Sequence, residues 1–253
     1  MNVIFDNTNL NADPYAVIDL PHESVASRDV QSYELARERG AVVVTSDYRS
    51  KQITIEGYIK GSSASDLDAK MHAFKELISR PGKNLDIDYA GGTLRYRNAY
   101  ATAHGIERRS TDLTRAKYRI VFLVPEGIGI ATSKSSQSNN GITSATYNGS
   151  IVISGSAKPK PTVKCTIQSV TGTLDTISFQ LGAFKVEMDG TALVASDIVI
   201  FDFENKKVTL NGTEKEYTGE FGDFQIGTNS FTIVTDGSTR NYDLLIEYYP
   251  SYL

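Results

Sequence analysis

The chain has 253 residues and a mass of 27.7 kDa, enough for one large β domain or two domains of ordinary size. Hydrophobic residues at 40%, charged residues at 22%, 20 Gly and 7 Pro exclude collagen-like, disordered and membrane-spanning chains. A net charge of −4 excludes bulk electrostatic binding to nucleic acid or to an anionic membrane surface.

The charge is unevenly spread. Residues 1–130 hold 17 Lys and Arg against 17 Asp and Glu, whereas residues 131–253 hold 9 against 13, and eleven of the twelve arginines lie in the first half. Arginine presents a rigid fork of donors suited to fixed carboxylate contacts, so the first half is the better candidate for permanent protein interfaces. Cys165 is the single cysteine, which excludes an intrachain disulfide and a Cys-rich zinc site; its setting between Lys164 and Thr166 in an alternating run reads as a small core residue of a strand. The opening Met1-Asn-Val-Ile-Phe-Asp6 lacks the basic and apolar regions of a secretory signal, so the chain is expected to be made and kept in a cytoplasm or released by another route.

Ala41 to Tyr48 and Gln52 to Lys60 read as two strands of a hairpin joined at Arg49-Ser50-Lys51. In the second strand Ile53, Ile55 and Ile59 share one parity with Gly57, while Gln52, Thr54, Glu56 and Lys60 share the other, the pattern of a half-buried strand. From Ser63 to Arg80 the period changes. Leu67, Met71, Phe74 and Ile78 fall on one face of a helix, with Ser65 as expected N-cap and Arg80-Pro81-Gly82 as the stop. His72 lies away from that stripe and reads as solvent-exposed.

Leu85–Tyr89, a Gly91-Gly92 turn, Thr93–Ala103 and Arg115–Val124 follow as strands. Leu94, Tyr96 and Tyr100 are expected on one side and Arg95 and Arg97 on the other; Tyr118, Ile120 and Phe122 oppose Lys117 and Arg119, giving a sheet with a basic outer face. The fold class is mainly β. An antiparallel α+β domain with one helix is expected over residues 1–130, a solvated linker of small polar residues over 131–141, and a β-sandwich over 142–253. Turn signals at Asn148-Gly149, Gly172, Asp189-Gly190, Asn211-Gly212, Gly227 and Asp236-Gly237 divide the sandwich into short strands.

Catalytic chemistry is hard to find. His22, His72 and His104 have no metal-ligand spacing, Pro81-Gly82-Lys83 lacks the rest of a phosphate loop, and no catalytic residue, metal or cofactor is assigned. Asp86 and Asp88 share a strand face and could serve a glycosidase only as a remote third reading. Trp is absent, which weakens stacking on sugars. The alternative function is a carbohydrate-binding sandwich that tethers a particle or an enzyme to a cell wall, with Tyr217 and Phe221 as its stacking residues.

Several runs carry a resemblance. Tyr33-Glu-Leu-Ala-Arg-Glu-Arg-Gly40, Val43–Ser50, Gln52–Ile59, the capped helix and Leu85-Asp-Ile-Asp-Tyr89 resemble the N-terminal domain of siphophage distal tail proteins. Tyr147-Asn-Gly-Ser150, Pro159–Val163, Asp202–Gly212, Phe221–Ser230 and the terminal Tyr248-Tyr249-Pro-Ser-Tyr-Leu253 are similar to that family's galectin-like domain. The resemblance spans nearly the whole chain and implies a structural protein of the virion tail tip, resident in the host cytoplasm before assembly. It implies six copies closed into a hexameric ring around the DNA channel, with partners in the tail-tube protein, the tail-associated hub and, in some relatives, receptor-binding proteins. Neither sequence-specific nucleic-acid binding nor membrane insertion is expected. The β-prone segment from Tyr33 to Lys60 suits edge pairing between neighbours, with Arg37, Arg39, Val42, Val44, Asp47 and Arg49 as expected interface residues.

Overall fold

A computed structural model describes residues 2–23, 28–34, 41–108, 111–188, 190, 192–236 and 239–253, with side chains described outside 21–48 and 239. Two compact units, Met1–Thr132 and Ser133–Tyr252, divide the chain.

The first unit contains β1 (Val3–Phe5), β2 (Thr8–Asn9), β3 (Tyr15–Glu23), β4 (Arg28–Glu34), β5 (Ala41–Tyr48), β6 (Lys51–Lys60), α1 (Ala64–Ile78), β7 (Lys83–Tyr89), β8 (Gly92–Arg108), β9 (Arg115–Val124) and β10 (Gly129–Ala131). Its main sheet runs β2-β1-β7-β8-β9-β6-β3, antiparallel throughout. In β6, Ile53, Ile55 and Ile59 are buried as the alternation predicts. The strand pairs with β9 from Lys51↔Val124 to Lys60↔Arg115, and β3 takes its other edge. With both edges occupied, β6 has no room for β5, so the expected hairpin across Arg49-Ser50-Lys51 does not form; β5 pairs with β4 instead.

Helix α1 packs Leu67, Phe74, Leu77 and Ile78 into the core, where the Phe74 ring lies 4.7 Å from that of Tyr118 and 5.0 Å from that of Tyr15. His72 is exposed. The N-cap is Ser63, two residues before the expected Ser65: its Oγ accepts a bond from Asp66 N at 3.2 Å, while Asp66 Oδ2 accepts from Ser62 N at 2.7 Å and Ser62 Oγ at 2.9 Å. Lys70 closes on the same carboxylate at 3.0 Å, so acid and cap together satisfy the helix's first turn. These bonds, led by the Ser62 backbone, hold the Asp66 carboxyl down at about 2.

Strand β8 departs from simple alternation. Asn98 adopts φ 52° and the pairing shifts from Leu85↔Tyr96 to Lys83↔Ala99, a one-residue bulge that reverses the facing of the residues after it as far as the next shift, between Ala101 and Ala103. Tyr96 and Ala99 are therefore buried while Tyr100, expected beside Tyr96, is 40% exposed.

The second unit contains β11 (Ser135–Ile142), β12 (Thr146–Ile153), β13 (Thr162–Thr171), β14 (Ile177–Leu181), β15 (Phe184–Met188), β16 (Ile198–Asp202), β17 (Lys207–Leu210), β18 (Thr213–Lys215), β19 (Thr218–Gly219), β20 (Gly227–Thr235) and β21 (Thr239–Tyr248). Two antiparallel sheets, β11-β21-β13-β16-β17-β18 and β12-β20-β14-β15-β19, enclose one apolar core, making a β-sandwich. Phe179 is its hub, with the rings of Phe231, Phe203, Phe224 and Phe201 at 5.5, 5.6, 6.1 and 6.2 Å. Cys165 is fully buried in β13, and burial pushes its thiol up to about 12.

Two expectations fail in this unit. Most of the stretch 131–141 is strand: β11 begins at Ser135 and pairs with β21 from Ser135↔Tyr248. An outermost strand at the rim of a sandwich needs few large apolar residues, so small polar composition there mimics a linker. Asn148-Gly149 lies inside β12, where a Cβ on Gly149 would stand 2.4 Å from the Phe231 ring; glycine serves close packing there. At Asn211-Gly212 the turn does form, both residues having positive φ between paired Leu210 and Thr213.

Candidate functional site

The expected interface segment, Tyr33 to Lys60, divides between two sheets: up to Tyr48 it falls on a two-stranded ribbon, whereas Lys51–Lys60 is β6, an interior strand whose edges are both taken by β3 and β9 and so cannot pair with a neighbour. Strands β4 and β5 pair with each other and, among the described residues, with no other strand. Arg37 and Arg39 lie outside the described residues. Val42 pairs with Tyr33, Val44 is the extra residue where the register shifts between Gln31 and Ser32, and Asp47 stands opposite Asp29. Arg49 is exposed at the point where the ribbon rejoins the sheet. An isolated pair of strands is marginal in water.

Tyr217 and Phe221 do come together, with ring centroids 5.3 Å apart and planes at 83°. Phe221 in turn meets Phe203 edge-on at 4.9 Å and packs against the sandwich core. Tyr217 donates its hydroxyl to the Lys206 carbonyl at 2.9 Å. The pair thus fastens the segment after β18 to the sandwich, and edge-on rings offer no flat shared platform for a sugar.

The carboxylates of β7 are held in local pairs. Arg95 grips Asp86 with two bonds, Nε to Oδ1 at 2.8 Å and Nη2 to Oδ2 at 2.7 Å. Asp88 accepts from Thr93 Oγ1 at 2.7 Å, and that bond together with one to Asn2 lowers its carboxyl, opposite to the raised value a general acid needs. Beside them a polar pocket of about 260 Å³ is lined by Asp6, Asn7, Lys83, Asn84, Asp86 and Arg95. Its acid Asp6 is bound by Arg80 Nη1 at 2.9 Å and Lys83 at 3.4 Å, so Lys83 ties the β1–β2 turn to the chain after α1. Among the described residues no cluster of three His, Cys, Asp or Glu could hold a metal, and no helix is long and apolar enough to cross a membrane.

On β9, Lys117 and Arg119 both turn to Glu56 of β6, at 2.8 and 3.6 Å. The expected basic outer face is therefore partly neutralised by its neighbouring strand. The ribbon itself was missed as a separate element because nothing local in Ala41–Tyr48 distinguishes a partner at β4 from one at β6.

No protein-family model matches the chain, and no curated protein does so at a significant level. Among solved structures, the fold is that of the Dit (gp 19.1) protein of phage SPP1, described as a paradigm of the hub adsorption apparatus in phages infecting Gram-positive bacteria. The likeness has a TM-score of 0.73 at 12% identity and covers 100% of this chain and 99% of that one. A chain of the phage P2 baseplate in its activated conformation aligns over 96% of this chain and 97% of that one, with a TM-score of 0.41 at 10% identity.

Proposed function

We propose that the chain is a distal tail protein of a siphophage, a structural component of the tail tip without catalytic activity. The observation that carries this reading is the likeness of fold to SPP1 Dit from end to end, both units included. Six copies close into a ring that encloses the DNA channel and joins the tail tube on one face to the tail-associated hub on the other. The first unit forms the ring, and the sandwich, galectin-like in this reading, projects outward where receptor-binding proteins can attach. The β4–β5 ribbon supplies the contact: a strand pair with no third strand among the described residues completes a neighbour's sheet, and repeated head-to-tail contacts of this kind close a ring. Equal numbers of acidic and basic residues in the first half, 17 of each, leave a channel without a basic excess, through which DNA passes without being held.

Light scattering on the eluting protein tests the reading. A ring has a mass of roughly 166 kDa, six times the 27.7 kDa chain, and replacing residues 28–48 by a short Gly-Ser linker returns a folded monomer. A ring that survives loss of the ribbon removes the ribbon from the interface.

A further inference from the structure

Sheets that end in open water protect their outermost strands from pairing with other chains by shortness, charge, proline or bulges. Five of the six strands at the ends of the three large sheet orders do so. β2 and β19 have two residues each, and β18 has three, with Glu214 and Lys215 among them. β3 shifts register twice, and β11 shifts between Asn139 and Ile142 around Gly141 at φ 68°. The sixth, β12, pairs with β20 over eight consecutive residues, Thr146↔Val234 to Ile153↔Gly227, without a shift. It holds no Lys, Arg, Asp, Glu or Pro, and from Ser135 to Ala157 the chain has no charged residue at all, between Lys134 and Lys158.

Among the described residues, side chains from the other sheet cap only the second half of this edge. Gln137 Nε2 donates to the Ser150 carbonyl at 2.8 Å and Tyr248 OH to the Val152 carbonyl at 3.1 Å. Because alternate residues of a strand direct their backbone groups the same way, those two bonds also identify Thr146 and Asn148 as residues whose N–H and C=O face away from β20. Beside that uncapped half runs an open groove of about 520 Å³ whose lining, including Gln137, Asn139, Tyr147, Asn148 and Thr232, contains no charged side chain. Val152, on the outer face of the same strand, is 67% exposed.

From this we infer that the outer edge of β12, from Thr146 to Ser150, accepts an extended, uncharged segment of a partner polypeptide as an added strand. Backbone hydrogen bonds supply the affinity, and the neutral groove selects the segment, since a charged side chain laid in it loses water without gaining a counter-ion. The inference does not depend on how copies of the chain assemble.

The test uses the full chain with acetyl-Ser-Thr-Val-Thr-Val-Ser-amide as an uncharged probe and acetyl-Lys-Glu-Val-Lys-Val-Glu-amide as a charged one, read by amide hydrogen exchange. Severalfold slower exchange at Asn148 and Ser150 is expected with the first probe and not with the second. Asn148→Lys, at an exposed position, is expected to abolish the effect while leaving exchange in the sandwich core unchanged; Glu214→Lys on β18 is expected to leave it intact. Three results overturn the inference: unchanged exchange at a saturating excess of the uncharged probe, protection that persists in Asn148→Lys, or equal protection by maltotriose, which would make the groove a saccharide site.

Discussion

Removing the ring of Phe179 tests whether the second unit is held by a single aromatic hub. Phe179 is 1% exposed and four other phenylalanine rings stand within 6.2 Å of it, drawn from both sheets and from the segment before β20. Because those neighbours are fixed by two hydrogen-bonded sheets, the space left by Phe179→Ala cannot collapse, and the cost sits at about 3–5 kcal/mol, the range for a buried Phe truncated to Ala. For a unit of this size each kcal/mol lowers the melting temperature by roughly 3–5 °C, so the expected fall is on the order of 10–20 °C. Scanning calorimetry of the whole chain provides the assay. Phe179→Ala lowers the transition of the second unit, and Phe74→Ala, which empties the space beneath α1 between Tyr15 and Tyr118, lowers that of the first. Phe179→Ala with Phe231→Ala, the pair stacked at 5.5 Å, costs less than the sum of the two single changes because they share one cavity. A fall of only a few degrees in Phe179→Ala would refute the hub.

Asp66 has its carboxyl lowered from 3.8 to about 2 by Ser62 and Lys70, so its contribution to stability is complete above about pH 4 and disappears as pH falls towards 2. A carboxyl NMR titration finds the midpoint near 2, and Ser62→Ala with Lys70→Ala moves it upward. Cys165, with its thiol pushed up to about 12 inside the sandwich, stays unmodified by a thiol reagent at neutral pH and reacts only once the unit is unfolded, as a time course with and without denaturant will report.

What could be read from residues alone followed from local periodicity. The alternation of β6 and the four-three-four stripe of α1 state a face directly, because side-chain direction repeats every 2 or 3.6 residues. Facts that depend on distant partners were not legible. Nothing in Ala41–Tyr48 tells β4 from β6 as its mate, since β6 is withdrawn from competition by β3 and β9. One residue in left-handed backbone, Asn98, turned Tyr100 outward and Ala99 inward. In β11 the small polar residues that resemble a linker belong to an outermost strand, and in β12 a glycine that resembles a turn makes room for Phe231. The candidate interface was legible as a β-prone, Arg-flanked segment; its form as a separate ribbon was not. Tyr217 and Phe221 were read as stacking residues of the carbohydrate-binding alternative, yet Phe221 is anchored to the core through Phe203, a contact between segments 18 residues apart that no local pattern announces.

Electron micrographs of the purified protein at its highest soluble concentration test the ring most directly. The account predicts annular particles with six-fold symmetry and an open centre, lost when the β4–β5 ribbon is replaced. Single compact particles of one chain's size at every concentration, with or without the ribbon, would contradict it.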